Sequence, residues 1–281
     1  MQFGLGSYAC AWAIGVPGYP VEQPLDALGF VQLAHELGFS LVQIADNLPL
    51  HTLSDREQAL LLEHTRAQNL TVELGTRGIQ RGQLETYLRL AQTFCSRILR
   101  VVVDSHNHHP SPDDVIRCIG AVLPQFESAN VTLAIENHDR FTTRTLAGII
   151  TTLASPSVGI CLDTVNSFGS LERPEVVIDA LAPYTVNLHL KDFDIRRADH
   201  NMGFAIFGTP AGQGRLDIPG LIRQLKQHGR CQTAVLELWP APEQTIDVTI
   251  AKERLWLRQS AAYLHSLQAD EEIVRDCDAC Y

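Results

Sequence analysis

Positive charge is scarce in this 281-residue chain and arrives late: the first Lys or Arg is Arg56. A secretory leader opens with a basic segment and an organelle transit peptide is rich in Arg, so neither is expected. Over the whole chain 22 Lys and Arg face 32 Asp and Glu, a formal charge of −10. The densest basic cluster is only Arg196-Arg197. Such a chain is repelled by nucleic acid and by anionic membrane, and neither is expected as a partner. Long apolar runs are missing too. The apolar stretch 8–21 is broken by Gly15, Pro17, Gly18 and Pro20 and is too short to span a bilayer. The seven cysteines are odd in number and scattered, which reads as reduced thiols in a cytoplasm, not a disulfide framework. There is no P-loop, no G-x-S-x-G elbow and no H-E-x-x-H. Gly4-Leu5-Gly6 is followed by Ala9, so the dinucleotide fingerprint fails.

What the chain does have is material for a large core, with 45% hydrophobic and 19% charged residues. Short β-branched or apolar runs recur at 3–8, 41–45, 71–74, 99–103, 132–135, 158–162, 186–190 and 234–238. Most are continuous rather than alternating, the signature of strands buried on both faces. Helix signals lie between them. Ser54-Asp55-Arg56-Glu57 is a capping box for a helix running to about Gln68. Ser111-Pro112-Asp113-Asp114 supplies an N-cap, a first-turn Pro and first-turn acids. Asp217-Ile218-Pro219 opens a helix that Gly229 can end, and apolar residues at 25, 28, 31, 34 and 37 keep helical spacing. Eight such units predict an α/β fold, a single (β/α)8 TIM barrel over 1–268, followed by an acidic and loosely held tail over 269–281. A doubly wound sheet, the structural rival, would have fewer strands and a Gly-rich first turn.

Active sites of such barrels lie where the strands end. Strands five to eight close on Glu136, Asp163, His189 and Glu237. Three carboxylates and an imidazole on one rim repel one another and are costly to bury unless a cation sits between them. Oxygen-rich ligation with one nitrogen suits Mn²⁺, Mg²⁺ or Co²⁺ and tolerates Zn²⁺ or Fe²⁺.

This run of strand-closing residues resembles the xylose-isomerase-like barrels. So do His189-Leu190-Lys191-Asp192, similar to the family's H-x-K-D, and Gly212-Gln213-Gly214-Arg215-Leu216-Asp217, similar to its G-x-G-x-L-D. The family includes ketose 3-epimerases, inosose isomerases and dehydratases, and endonuclease IV, and the resemblance covers roughly 2–265. It implies one divalent metal ion held by Glu136, Asp163, His189 and Glu237, with Glu136 and Glu237 also moving protons. It further implies a small keto-sugar or sugar-acid substrate and, because such barrels often pair, a homo-oligomer. Many members carry His three residues after the Asp ligand. Here Asn166 stands there, a hydrogen-bond donor and a poor zinc ligand, which argues against a three-zinc nuclease site.

The expected activity is therefore a metal-dependent isomerase or epimerase working through an enediolate, with Lys191 steadying the oxyanion. A dehydratase or decarboxylase acting on a keto sugar acid is the alternative, and a nuclease or a non-catalytic sugar-binding barrel follows at a distance. Candidate substrate contacts are His106 in the loop after strand four, His138, Asn166, Glu73 as the residue closing strand three, and Arg196 on a lid-like loop spanning 194–207. That loop also carries Arg197, Asp199 and His200. Trp12, Trp239 and Phe207 suit the wall of a sugar pocket, although packing is their commoner use. His51 after strand two stays ambiguous, and a single CxxC at Cys277 and Cys280 is a weak zinc signal.

Overall fold

The apolar runs become strands because each can bury both of its faces, one inside a cylinder and one under helices. In the computed structural model the eight barrel strands are β1 (Gln2–Gly6), β2 (Leu41–Ile44), β3 (Thr71–Arg77), β4 (Ile98–Val102), β5 (Thr132–Glu136), β6 (Val158–Asp163), β7 (Thr185–Leu190) and β10 (Thr233–Leu236). They lie in the order β1-β10-β7-β6-β5-β4-β3-β2 and close on themselves, every pairing parallel. Strands β2, β6 and β7 are buried along their whole length. The structure describes the backbone of residues 1–278 and the side chains of residues 1–269, so the expected tail chemistry at Cys277 and Cys280 lies outside the described side chains.

Nine α-helices are described: α1 (Ala11–Ile14), α2 (Ala27–Glu36), α3 (Asp55–Ala67), α4 (Arg81–Thr93), α5 (Pro112–Ala129), α6 (Thr143–Leu153), α7 (Pro174–Leu181), α8 (Ile218–His228) and α9 (Ile246–Asp278). The predicted caps form. Ser54 and Glu57 exchange both bonds of a capping box at α3, Ser111 and Asp114 do the same at α5, and Asp217 caps α8, which ends on a left-handed Gly229. The apolar faces of these helices pack on the outside of the barrel as one continuous core that includes Phe30, Leu61, Tyr87, Phe126, Ile150 and Leu225.

Two departures from the sequence expectation matter for the site. Strand three does not stop at Leu74 but runs on to Arg77. The extension escapes an apolar reading because Gly75 and Thr76 look like a turn. In the fold Gly75 is needed where the backbone of Ala45 comes close, and a Cβ there would sit 3.1 Å from Ala45 Cα. The segment expected as a lid loop is a two-stranded antiparallel ribbon instead, β8 (Asp192–Arg197) paired with β9 (Phe204–Thr209).

Candidate metal centre and active site

Consecutive parallel strands place their last residues side by side. Glu136 ends β5, Asp163 ends β6, and His189, the next-to-last residue of β7, is the register partner of Asp163. Glu237 follows β10, and its backbone N–H donates to the Leu190 carbonyl at 3.1 Å, which prolongs the ladder by one residue. All four side chains are buried. His189 Nδ1 lies 3.4 Å from Glu136 Oε2, 3.3 Å from Glu237 Oε1 and 4.0 Å from Asp163 Oδ2.

His189 Nδ1 and Glu237 Oε1 have no hydrogen-bond partner. Unpaired polar atoms at this depth each cost about 1–3 kcal/mol, a cost that a shared cation removes. One nitrogen and several carboxylate oxygens converging on a common point fit a divalent ion of the hard or borderline kind. Cys161 also lies within reach of Glu136 and His189. Its thiol donates to Asn187 Oδ1 at 3.2 Å, and burial pushes its pKa well up, which disfavours the thiolate form.

Two cations bracket the carboxylates. Lys191 Nζ is 2.7 Å from Asp163 Oδ2 and 2.8 Å from Glu237 Oε2. Burial disfavours its charge, but Asp163, Glu237 and Glu136 outweigh burial and hold its pKa above the ordinary lysine value. On the other side the buried Arg100 donates from Nε to Glu136 Oε2 and from Nη1 to Asp46 Oδ1, the latter at 2.7 Å. Asn166 Nδ2 donates to the second Glu136 oxygen, Oε1, at 2.7 Å. Burial raises the Glu136 pKa, but Arg100, His189 and Lys191 together outweigh burial, and the net shift is downward. Asp163 is fixed by its own loop, with Oδ1 accepting from the backbone N–H groups of Val165 and Asn166, both at 2.9 Å.

The H-x-K-D and G-x-G-x-L-D segments turn out to be two halves of one clamp. The Asp192 carboxylate accepts backbone N–H bonds from Phe193, Gly212, Gly214 and Leu216 at 2.8–3.1 Å. A Cβ on Gly214 would overlap Asp192 and the Phe193 backbone, which explains the glycine.

Of the expected site residues, the structure brings together Glu136, Asp163, His189, Glu237, Lys191 and Asn166. Glu73 is elsewhere. It is the third residue of the seven-residue β3, below the rim, and bonds Gln43, Asn187 and Thr233 instead of facing a substrate or bracing Arg77 or Arg100. Arg196 is an exposed ribbon residue, paired with Asp194 at 3.0 Å and stacked over Phe207. His106 is exposed in the loop after β4, and His138 is held by Asp139 at 2.6 Å. His51 bonds the Tyr87 hydroxyl at 3.0 Å. Trp12 and Trp239 spend their indole N–H groups on the carbonyls of Pro240 and Asp192. Sequence reasoning missed Arg100, Asp46, Tyr8, Gln43 and Asn187. Each lies on or just after a strand and contacts partners far away in the chain, which no local pattern marks.

Comparison with known proteins agrees with this architecture. A family model described as xylose isomerase-like TIM barrel matches residues 31–265. The chain is 32% identical over 266 residues to a 3-oxo-isoapionate decarboxylase of Pectobacterium atrosepticum, covering 95% of this chain and 96% of that one. Among solved structures it superposes on a D-psicose 3-epimerase from Clostridium cellulolyticum H10 crystallised with D-tagatose (TM-score 0.71, 16% identity, 96% of this chain and 99% of the other). It also superposes on a xylose isomerase-like TIM barrel protein from Mycobacterium smegmatis in complex with magnesium (TM-score 0.66, 14% identity, 93% and 97% covered).

Proposed function

This chain belongs to the xylose isomerase-like TIM barrel family, and we propose that within it the chain is a divalent-cation-dependent decarboxylase of a short, polyhydroxylated 3-oxo acid. The observation that carries this reading is the state of Glu136. Both its oxygens are engaged, one by Arg100 and one by Asn166, and its pKa is held down. An isomerase or epimerase that moves a proton between two carboxylates needs both of them free to act as bases. Decarboxylation needs no proton abstraction from carbon. The C1–C2 bond breaks, CO₂ leaves, the electron pair flows onto the C3 oxygen, and one proton returns to C2. The likeness to a decarboxylase along nearly the whole of both chains supports the same choice.

A cation held by Glu136, Asp163, His189 and Glu237 would supply Lewis acidity to the substrate's carbonyl and neighbouring hydroxyl oxygens. The chain's own residues supply the rest. Arg100 favours the ionised form of Glu136, and Arg100 and Asn166 together fix it in place. Lys191, charged at neutral pH and 13% exposed, adds positive potential where the enolate charge grows and holds the proton that the new C–H bond requires. Water at the rim restores that proton.

The test is to incubate the protein with a panel of 3-oxo sugar acids and Mg²⁺, Mn²⁺, Co²⁺ or Zn²⁺ in D₂O. The expected product is lighter by one CO₂ and carries a single deuterium. An isobaric product from a keto-sugar would instead support the isomerase reading. One feature favours that second reading: Glu136 and Glu237 stand at nearly equal distances, 3.4 and 3.3 Å, from His189 Nδ1.

A further inference from the structure

A polar shaft runs through the barrel interior beneath the ligand cluster. His189 Nε2 lies 2.6 Å from Gln43 Oε1. The other end of that amide is fully used, since Gln43 Nε2 donates to Glu73 Oε2 and to Asn187 Oδ1, both at 3.0 Å. Asn187 Nδ2 in turn donates to Glu73 Oε2 at 2.9 Å and to Thr233 Oγ1 at 2.8 Å, and Thr233 Oγ1 donates to Glu73 Oε1 at 2.7 Å. Gln43, Glu73, Asn187 and His189 are all buried.

The directions of these bonds are not free. Glu73 Oε2 accepts an amide N–H from Gln43 Nε2 and another from Asn187 Nδ2, which uses both of its lone pairs and leaves it an acceptor toward each neighbour. That demand turns the NH₂ of Gln43 toward Glu73 and its carbonyl oxygen toward His189. A carbonyl oxygen facing a ring nitrogen requires that nitrogen to carry the hydrogen. We propose that Gln43, oriented by Glu73 and Asn187, is the positioning residue that fixes His189 as its Nε2–H tautomer and so aims the Nδ1 lone pair at Glu136, Asp163 and Glu237. Flipping Gln43 would set its oxygen against Glu73 and Asn187 Oδ1, two acceptors, with nothing to replace the lost bonds. Glu73 thus serves the site from below, through one intervening amide, although it touches neither substrate nor ion.

This inference rests on the four residues being ion ligands, and the experiment separates the two claims. Long-range ¹H–¹⁵N correlation of the histidine rings in chelator-treated protein reads the tautomer, with His189 assigned by its own variant. A Zn²⁺ titration reads affinity. Wild type should show one His189 signal set, Nε2–H. Gln43→Leu should mix the tautomers and weaken Zn²⁺ binding about 10- to 100-fold, the usual effect of losing a partner behind a ligand. Glu73→Gln, a milder change, should move both readouts in the same direction. The exchanged pair Gln43→Glu with Glu73→Gln should restore them, because the carboxylate then accepts from Nε2 directly and Asn187 can turn to suit. A wild-type Nδ1–H signal overturns the proposal without any variant having to fold. So does Gln43→Leu with an unchanged tautomer and unchanged affinity. Wild-type protein that shows the Nε2–H tautomer but ignores Zn²⁺ would sink the ligand reading while leaving the positioning claim intact.

Discussion

Asp46 is not among the four clustered candidate ligands, yet three side chains converge on it. Tyr8 donates to Oδ2 at 2.9 Å, Arg77 Nε to the same oxygen at 3.2 Å, and Arg100 Nη1 to Oδ1 at 2.7 Å. Burial raises its pKa, but Arg100 and Arg77 outweigh burial and lower it. A carboxyl whose folded pKa is depressed contributes stability above its unfolded pKa and loses it as pH falls through the folded one. Asp46→Asn is therefore expected to cost about 2 kcal/mol at neutral pH, measured by urea unfolding. The gap from wild type should close as pH drops below about 4. A gap that stays constant down to strongly acid pH would mean that charge plays no part. The same residue marks the limit of sequence reading at this scale. Glu136, Asp163, His189 and Glu237 were legible because each caps an apolar run. Asp46, Arg100 and Gln43 were not, because their meaning lies in partners 54 or 146 residues away.

Among elements, the legible ones are those with local causes. The capping box at Ser54, the N-cap at Ser111 and the Gly229 stop were legible because the bonds they make span only a few residues. Strand β3 was cut short, and Glu73 was consequently put at the rim, because the Gly75-Thr76 continuation owes its strand state to β2 and β4 on either side. The β8–β9 ribbon was read as a loop. Its buried residues, Asp192, Phe193, Gly208 and Thr209, gather at the base, and the rest are half-buried or exposed, so no alternation of buried and exposed positions reveals it. The connection after β9 gives this scale its prediction. Gly214→Ala should destabilise the protein by about 1–3 kcal/mol through overpacking. Hydrogen exchange at the Gly212 and Leu216 amides, both bonded to Asp192, should accelerate more than exchange in α3. Unchanged exchange there would show that the clamp does not depend on the close approach.

At the scale of the molecule, the net charge of −10 and the buried cluster of Glu136, Asp163, His189 and Glu237 would make the proposed ion binding a global event. An ion that binds the folded chain alone, supplied at about 100 times its Kd, adds roughly 2.7 kcal/mol of stability. Melting curves in Mg²⁺, Mn²⁺, Co²⁺ or Zn²⁺ against chelator should differ by several degrees for at least one of these ions, and a chain lacking Asp163 and His189 ligation (Asp163→Asn with His189→Gln) should lose the difference. Equal curves for wild type in every ion would refute ligation. Among the described residues no helix is long and apolar enough to cross a membrane.

The cylinder is sealed where β1 meets β10, with Gln2 beside Thr233 and Leu5 beside Leu236. Glu253, on α9, then accepts the backbone N–H groups of Trp12 and Ala13 at 2.8 and 3.0 Å. A ribosome releases β1 first and its second neighbour almost last. Until β10 emerges, β1 lacks one of its two neighbours, and so does β7. Because Glu237 immediately follows the closing strand, the final hydrogen-bonded seam and the fourth residue of the cluster arrive together, and no chain that stops before β10 owns the complete cluster.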